Sequence, residues 1–284
     1  MKKQLHLDAD FLPYGNKNTI DYEAFLFNGG EPHIKLKTDL SDTECVQITQ
    51  RVNSFNDMGL LLLAIDAVQR CGVPKIEVLI PYFPAARQDR VMVVGEPLSV
   101  KVYADLLNAQ KLHKVTVYDA HSEVTPAVLN RCEAIDNHKF IQKVVAQLGS
   151  SNLKLISPDG GALKKIYKVS AHLGGMPVVE CSKSRDVKTG KLSGFKVYAD
   201  DLGGADCLIV DDICDAGGTF MGLAKALKER GAGKLYLAVS HGIFSKGLES
   251  LSQYFDTIFT TDSFRTIEKE PQLVQIKLAD GLLS

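Results

Sequence analysis

The chain has 284 residues, 45% of them hydrophobic, with 33 Lys and Arg against 34 Asp and Glu. That length suits one large or two modest cores, and a formal net charge of -1 at pH 7 gives no bulk attraction to nucleic acid or to an acidic membrane surface. The opening Met1-Lys2-Lys3-Gln4-Leu5-His6 lacks the apolar core of a signal peptide, and the longest apolar stretch, around Leu60 to Ala64, is too short to span a bilayer, so a cytoplasmic location is expected.

In chain order, Tyr22 to Phe27, His33 to Lys37 and Cys45 to Gln50 read as opening strands. Asn56 to Arg70 reads as a helix capped by Asn56 or Asp57, followed by a buried strand over Ile76 to Pro81. Leu98 to Ala109 reads as a helix and Lys114 to Asp119 as a strand. The polar stretch Asn130 to Asn137 is the expected boundary, dividing the chain into 1–135 and 136–284. Beyond it, His138 to Leu148 reads as helix, Leu153 to Ser157 as strand, Gly161 to His172 as helix and Pro177 to Cys181 as strand. Cys207 to Val210 then reads as a strand, Phe220 to Lys228 as a helix, and Leu235 to Ser240 and Ile258 to Thr261 as strands. This alternation predicts an α/β fold of largely parallel sheets flanked by helices.

The six cysteines, Cys45, Cys71, Cys132, Cys181, Cys207 and Cys214, form no Cys-x-x-Cys pair. They read as reduced small hydrophobes, with Cys71, Cys181 and Cys207 in apolar surroundings, and not as zinc ligands or a disulfide framework.

Residues 208 to 219, Leu-Ile-Val-Asp-Asp-Ile-Cys-Asp-Ala-Gly-Gly-Thr, carry the strongest chemical signal. An apolar strand ends in two adjacent carboxylates, and a third opens a Gly-Gly-Thr turn before a helix. Open α/β sheets bind ligands at such strand ends. Gly217 and Gly218 let backbone N–H groups close around an anion at a helix N-terminus. Asp211 and Asp212 repel each other unless a cation or hydroxyl donors share them. A sugar phosphate fits these groups.

This segment resembles the phosphoribosyl-pyrophosphate motif shared by type I phosphoribosyltransferases and ribose-phosphate diphosphokinases. Further segments favour the diphosphokinases. Pro81-Tyr82-Phe83-Pro84-Ala85-Ala86-Arg87-Gln88-Asp89 with Gly95-Glu96-Pro97, Asp119-Ala120-His121, Ser157-Pro158-Asp159-Gly160-Gly161 and Ser240-His241-Gly242-Ile243-Phe244-Ser245 are similar to that family's motifs, in order. The resemblance implies two phosphoribosyltransferase-like domains meeting at a shared active site. It also implies Mg2+-dependent transfer of the β,γ-diphosphoryl group of ATP to the anomeric hydroxyl of ribose 5-phosphate.

By the same resemblance Arg87, Gln88, Asp89 and His121 address ATP, and His121 and Asp159 lie at its metal end. Asp211 and Asp212 hold the ribose hydroxyls and a second cation, while Asp215, Ala216, Gly217, Gly218 and Thr219 wrap the 5-phosphate. Lys183 and Arg185 belong to a basic loop, Ser182 to Gly194, expected to be a mobile flap that closes over the substrates as the catalytic cations. Phe27-Asn28-Gly29-Gly30-Glu31 is similar to a segment that reaches adenine in a neighbouring subunit, which implies a homo-oligomer. Gly29 replaces the family's Asp, Ala216 removes a hydroxyl from the phosphate loop, and the usual opening strand and Gly-containing helix are not visible before Phe27. Ala216 leaves room beside the 5-position, so ADP-ribose is a second candidate acceptor, in NAD+ resynthesis. A non-catalytic regulatory homologue is the third reading.

Overall fold

The computed structural model describes residues 1–185 and 192–284, with backbone alone for 184, 185, 192 and 193. The chain forms two compact units, Met1–Asp136 with Leu278–Ser284, and Asn137–Lys277.

The first unit runs β1 (Lys2–His6), β2 (Tyr22–Leu26), β3 (Pro32–Leu36), β4 (Cys45–Thr49), α1 (Phe55–Arg70), β5 (Lys75–Leu79), α2 (Ser99–Asn108), β6 (Lys114–Tyr118), α3 (Val124–Val128) and β7 (Cys132–Ile135). A parallel sheet of order β1-β4-β5-β6-β7 forms its centre, and β2 and β3 make a separate antiparallel hairpin. Alternation along the strands turns Leu5, Val46, Ile48, Val78 and Val117 into one core with Met58, Leu61, Ile65, Val100 and Leu107 of α1 and α2. One expectation is corrected by the first sheet. An opening strand exists: β1 pairs in parallel with β4 through Lys2↔Cys45 to His6↔Thr49. Its Lys2, Gln4 and His6 sit on a polar sheet face, so apolar alternation was too weak to show it. The stretch Asn130 to Asn137 holds both β7, the edge strand of the sheet, and the division between the two units after Asp136.

The second unit runs α4 (His138–Leu148), β8 (Leu153–Ser157), α5 (Leu163–His172), β9 (Val178–Arg185), β10 (Leu192–Val197), β11 (Asp206–Cys214), α6 (Gly218–Glu229), β12 (Leu235–Gly242), α7 (Glu249–Ser252), β13 (Thr257–Thr261) and β14 (Leu273–Ile276). Its sheet has the order β10-β9-β8-β11-β12-β13-β14, parallel except for β10 against β9. The chain passes from β8 outward to β9, then returns to place β11 on the other side of β8. That reversal is a topological switch point, where the strand ends leave a crevice. The second half, read from the sequence as extending to 284, gives up its last seven residues to the first unit, and Leu278 and Leu282 among them are buried.

Cys71 is exposed at the end of α1, against the expectation of apolar surroundings, while Cys181, Cys207 and Cys214 are buried. Among the described residues no helix is long and apolar enough to cross a membrane.

Candidate active site

Asp211 and Asp212 lie on β11, just beyond the point where β8 stops pairing with it at Ile156↔Ile209. The strand continues past them to Cys214, paired only with β12, so the acids belong to the strand rather than to the turn. The N–H of Asp212 donates to Oδ1 of Asp211 at 2.9 Å. Asp212 is buried, and Asp211 keeps an opening to solvent. Burial, then the charge of Asp212, then that of Asp159 push the Asp211 carboxyl well above its ordinary range.

Asp159 follows β8 on the other side of the switch point. Its Oδ1 accepts from the N–H groups of Gly161 at 2.9 Å and Ala162 at 3.2 Å, which fixes the turn into α5. Its Oδ2 lies 2.5 Å from Nζ of Lys183 on β9. The structure therefore gathers Asp159, Lys183, Asp211 and Asp212 around adjacent strand ends. The Lys183–Asp159 pair was not foreseen, because spacing in sequence does not show that β9 flanks β8. Of Arg185 the backbone alone, at the end of β9, is described; residues 186–191 of the expected flap lie outside the described residues.

Asp215 to Gly217 join β11 to α6, whose first turn holds Gly218 and Thr219. Gly217 caps the helix with φ 78°, a conformation that favours glycine, and a Cβ there would stand 2.8 Å from Leu251. Asp215 is braced from the next strand end: Ser245 Oγ donates to its Oδ1 at 2.5 Å, and the Ser245 N–H donates to its carbonyl at 3.2 Å. The sequence placed Ser245 in a family motif without a role, and this contact supplies one. N–H groups of the first helical turn have no acceptor within α6, so they face the loop as donors for an anion. Ala216 and Gly218 are exposed.

In the first unit the loop after β5 holds Arg87, Gln88 and Asp89. It turns through Ala85 at φ 56°, and the Gln88 N–H donates to the Ala85 carbonyl at 2.8 Å. Arg87 and Gln88 are exposed and Asp89 is buried. Burial alone would raise the Asp89 carboxyl, but hydrogen bonds from Ser122 and Arg90, with the charges of Arg90 and His121, outweigh it and hold the group below its ordinary value. The structure thus brings His121 beside Asp89, from the end of β6. Asp119, which starts that turn, has φ 40°, the backbone strain that recurs at binding loops.

The hairpin tip Phe27 to Glu31 is exposed, and the Phe25 and Phe27 rings meet edge-on at 5.0 Å beside His33. A Cβ on Gly29 would stand 2.5 Å from Oε2 of Glu31, so the Glu31 carboxylate occupies the space a side chain at 29 would fill.

Among the described residues no three His, Cys, Asp or Glu side chains converge to hold a metal ion by themselves. The crowded, raised Asp211 beside Asp212 and Asp159 nevertheless suits a divalent cation whose other ligands are phosphate oxygens.

Similarity to known proteins places the chain in a family. Residues 7–110 match the model of the N-terminal domain of ribose phosphate pyrophosphokinase, and residues 129–272 match that of the phosphoribosyl transferase domain. The ribose-phosphate pyrophosphokinase of Vibrio cholerae is 31% identical over 252 residues, covering 86% of this chain and 78% of its own. That of Mycoplasma pneumoniae is 32% identical over 224 residues, covering 77% and 67%. That of Pyrococcus abyssi is 29% identical over 265 residues, covering 92% and 90%. The crystal structure of phosphoribosylpyrophosphate synthetase from Mycobacterium smegmatis superposes with a TM-score of 0.84 over 99% of this chain and 96% of that one, at 22% identity, which establishes the shared fold. With both halves matched and these relatives covered over two thirds or more of their length, the chain belongs to the ribose-phosphate pyrophosphokinase family.

Proposed function

We propose that the protein transfers the diphosphoryl group of ATP to the anomeric hydroxyl of ribose 5-phosphate, giving phosphoribosyl pyrophosphate and AMP. The observation that carries this reading is the acid pair Asp211–Asp212 at the switch point of the second sheet, followed directly by the amide-lined loop from Asp215 to Thr219. In this reading the loop and the first turn of α6 hold the 5-phosphate, and the carboxylates accept from the ribose hydroxyls. Arg87, Gln88, Asp89 and His121 address ATP, and Phe27, Asn28 and Glu31 its adenine. The anomeric oxygen, shedding its proton, bonds to the β-phosphorus as the β-phosphorus–oxygen bond to AMP breaks. Lys183 places a cation where negative charge develops on the transferred group. Positioning carries much of the rate, since no covalent intermediate is needed.

Mg2+ is the cation in this reading: it would neutralise phosphate charge, and Asp159, with Asp211 and Asp212 for a second ion, in the second unit and His121 in the first are the residues that would hold it. Asp159 already pairs with Lys183, so it would have to release that ammonium to serve as a metal ligand. The exposed rings at the hairpin tip support contact with a second subunit, making the enzyme at least a dimer. Six unpaired thiols support a reducing, cytoplasmic setting.

The deciding experiment is incubation of the pure protein with Mg-ATP and ribose 5-phosphate, with AMP quantified. Lys183→Ala should lower turnover about 100- to 1000-fold; unchanged turnover removes Lys183 from the chemistry. ADP-ribose is the second acceptor to test, because Ala216 offers no hydroxyl and, among the described residues, nothing beyond its chain neighbours and its own helix backbone lies within 4 Å of a Cβ on Gly218. AMP release with ADP-ribose and none with ribose 5-phosphate reassigns the acceptor. No AMP with either favours the regulatory homologue.

A further inference from the structure

In β9 and β10, Lys183 and Phe195 are directly opposed partners of the antiparallel pair. Opposed residues in such a pair project from the same face of the ribbon. Lys183 reaches Asp159 from that face. Phe195 meets α6, the helix that begins at the phosphate loop: a Cβ on residue 222 would stand 2.3 Å from Cε2 of the ring and 3.1 Å from Cδ2. The ring therefore occupies the notch that the missing side chain of Gly222 leaves in the helix. Gly222 lies one turn beyond Gly218, where α6 starts.

We propose that Phe195, seated on Gly222, is the positioning residue for Lys183. The ribbon is two strands at the edge of the sheet, since among the described residues β10 pairs only with β9. Its register shifts between Leu192 and Gly194, immediately before Phe195. A two-stranded ribbon with an irregularity is weakly fixed by its ladder alone. Phe195 is the first residue after that shift to contact another element through its side chain, and it is paired with the lysine itself. Seating the ring in α6 ties the placement of the lysine ammonium to the helix that holds the sugar's phosphate. Cation and phosphate loop are then fixed relative to each other rather than independently. A ring elsewhere on β10 would not sit opposite Lys183, and a side chain at 222 would lift the ring from the helix.

The inference rests on the proposed transfer reaction for its kinetic reading and on chemical labelling for its geometric one, so the two fail separately. Four proteins are compared: the parent, Phe195→Ala, Lys183→Ala and the double variant. Phe195→Ala should lower kcat about 100-fold, the scale of an ångström-sized misplacement, with the KM for ribose 5-phosphate within about twofold of the parent. In the Lys183→Ala background the same change should alter kcat by less than about twofold, because its effect passes through the lysine. Multiplying losses, or an unchanged kcat in Phe195→Ala, would overturn the proposal. Reductive methylation followed by peptide mass spectrometry reads Lys183 without any turnover. It should be slow in the parent and several-fold faster in Phe195→Ala; equal rates would overturn the proposal even if the enzyme proves inactive. Should Phe195→Ala fold poorly, Gly222→Ala tests the same contact from the helix. It should lower kcat and speed labelling, and Phe195→Leu with Gly222→Ala should recover both, because the smaller side chain accommodates the added methyl. No recovery would mean that the ring and the notch do not act through each other.

Discussion

Asp211 carries an electrostatic penalty in the ligand-free protein, since burial and the charges of Asp212 and Asp159 all oppose its ionisation. A group whose carboxyl is raised on folding binds its proton more tightly in the native state. Stability from it is present at low pH and is lost as pH rises from the ordinary carboxyl value of 3.8 through the raised one. Asp211→Asn removes that penalty while keeping an oxygen to accept from the Asp212 N–H. The variant should melt higher than the parent without Mg2+ and show a smaller upward shift when Mg2+ and ribose 5-phosphate are added. Its turnover should fall at least tenfold, because a charged hydrogen bond of about 1.5–3 kcal/mol is lost. A lower melting temperature without ligand would contradict the account of Asp211 as strained. His6 behaves in the opposite sense. Burial lowers its pKa despite the Gly15 carbonyl 3.0 Å from Nε2, and Nδ1 sits 2.7 Å from the Thr49 hydroxyl. The unfolded chain takes up that proton first, so the stability His6 confers is full above 6.5 and declines as pH falls below it. The difference in urea unfolding free energy between the parent and His6→Gln should shrink from pH 8 to pH 5; a constant difference would mean that His6 is not held neutral.

At the level of elements, α1 shows how caps outrank apolar periodicity in setting a boundary. The sequence suggested Asn56 or Asp57 as the cap, but the helix starts at Phe55 with Ser54 before it. Ser54 Oγ accepts from the Asp57 N–H at 3.2 Å and donates to Asp57 Oδ2 at 2.9 Å, and that carboxylate also accepts from the Asn53 N–H at 2.9 Å. Asp57 is thus the reciprocal partner of the cap, a variant of the capping box in which its carboxylate takes the N–H of the residue before the cap. Ser54→Ala should cost about 1 kcal/mol, read as a lower urea midpoint with an unchanged slope. The same rule explains which elements were legible. The helix over His138–Leu148 and the strand over Leu153–Ser157 coincide with their expectations, because strong apolar periodicity ends at Gly149 with φ 59° and at the Asp159 turn. Lys2–His6 and Cys132–Ile135 were missed: one carries polar side chains on one sheet face and the other is a four-residue edge strand. The strand over Cys207–Val210 proved longer, because charge at Asp211 and Asp212 does not break a ladder that β12 continues. In the candidate site, consecutive residues such as Asp215 to Thr219 were readable, whereas Lys183 with Asp159 and Ser245 with Asp215 depend on strand order.

For the whole molecule, the two halves were visible in the alternation of strands and helices, but the return of the chain to the first unit was not. Nothing in Leu278-Ala279-Asp280-Gly281-Leu282-Leu283-Ser284 distinguishes a tail of one unit from that of the other. Leu278 and Leu282 are 1% and 0% exposed and four residues apart, and the Leu282 N–H donates to the Leu278 carbonyl at 3.2 Å. One helical turn therefore presents both side chains on the same side. Burying two leucines contributes about 3–6 kcal/mol at about 1.5–3 kcal/mol each, a large share of the stability of a single domain. The second unit is inserted between the first unit's main body and its last seven residues. A chain ending at Lys277 keeps every residue of the second unit, so its loss of stability should be confined to the first. Amide hydrogen exchange should then show protection falling in Cys45–Thr49 and Lys75–Leu79 while Asp206–Cys214 and Leu235–Gly242 remain as protected as in the full chain. Equal loss in both sets of strands would show that the tail stabilises the molecule as one cooperative body, and unchanged protection would show that the two leucines contribute little wherever they are buried.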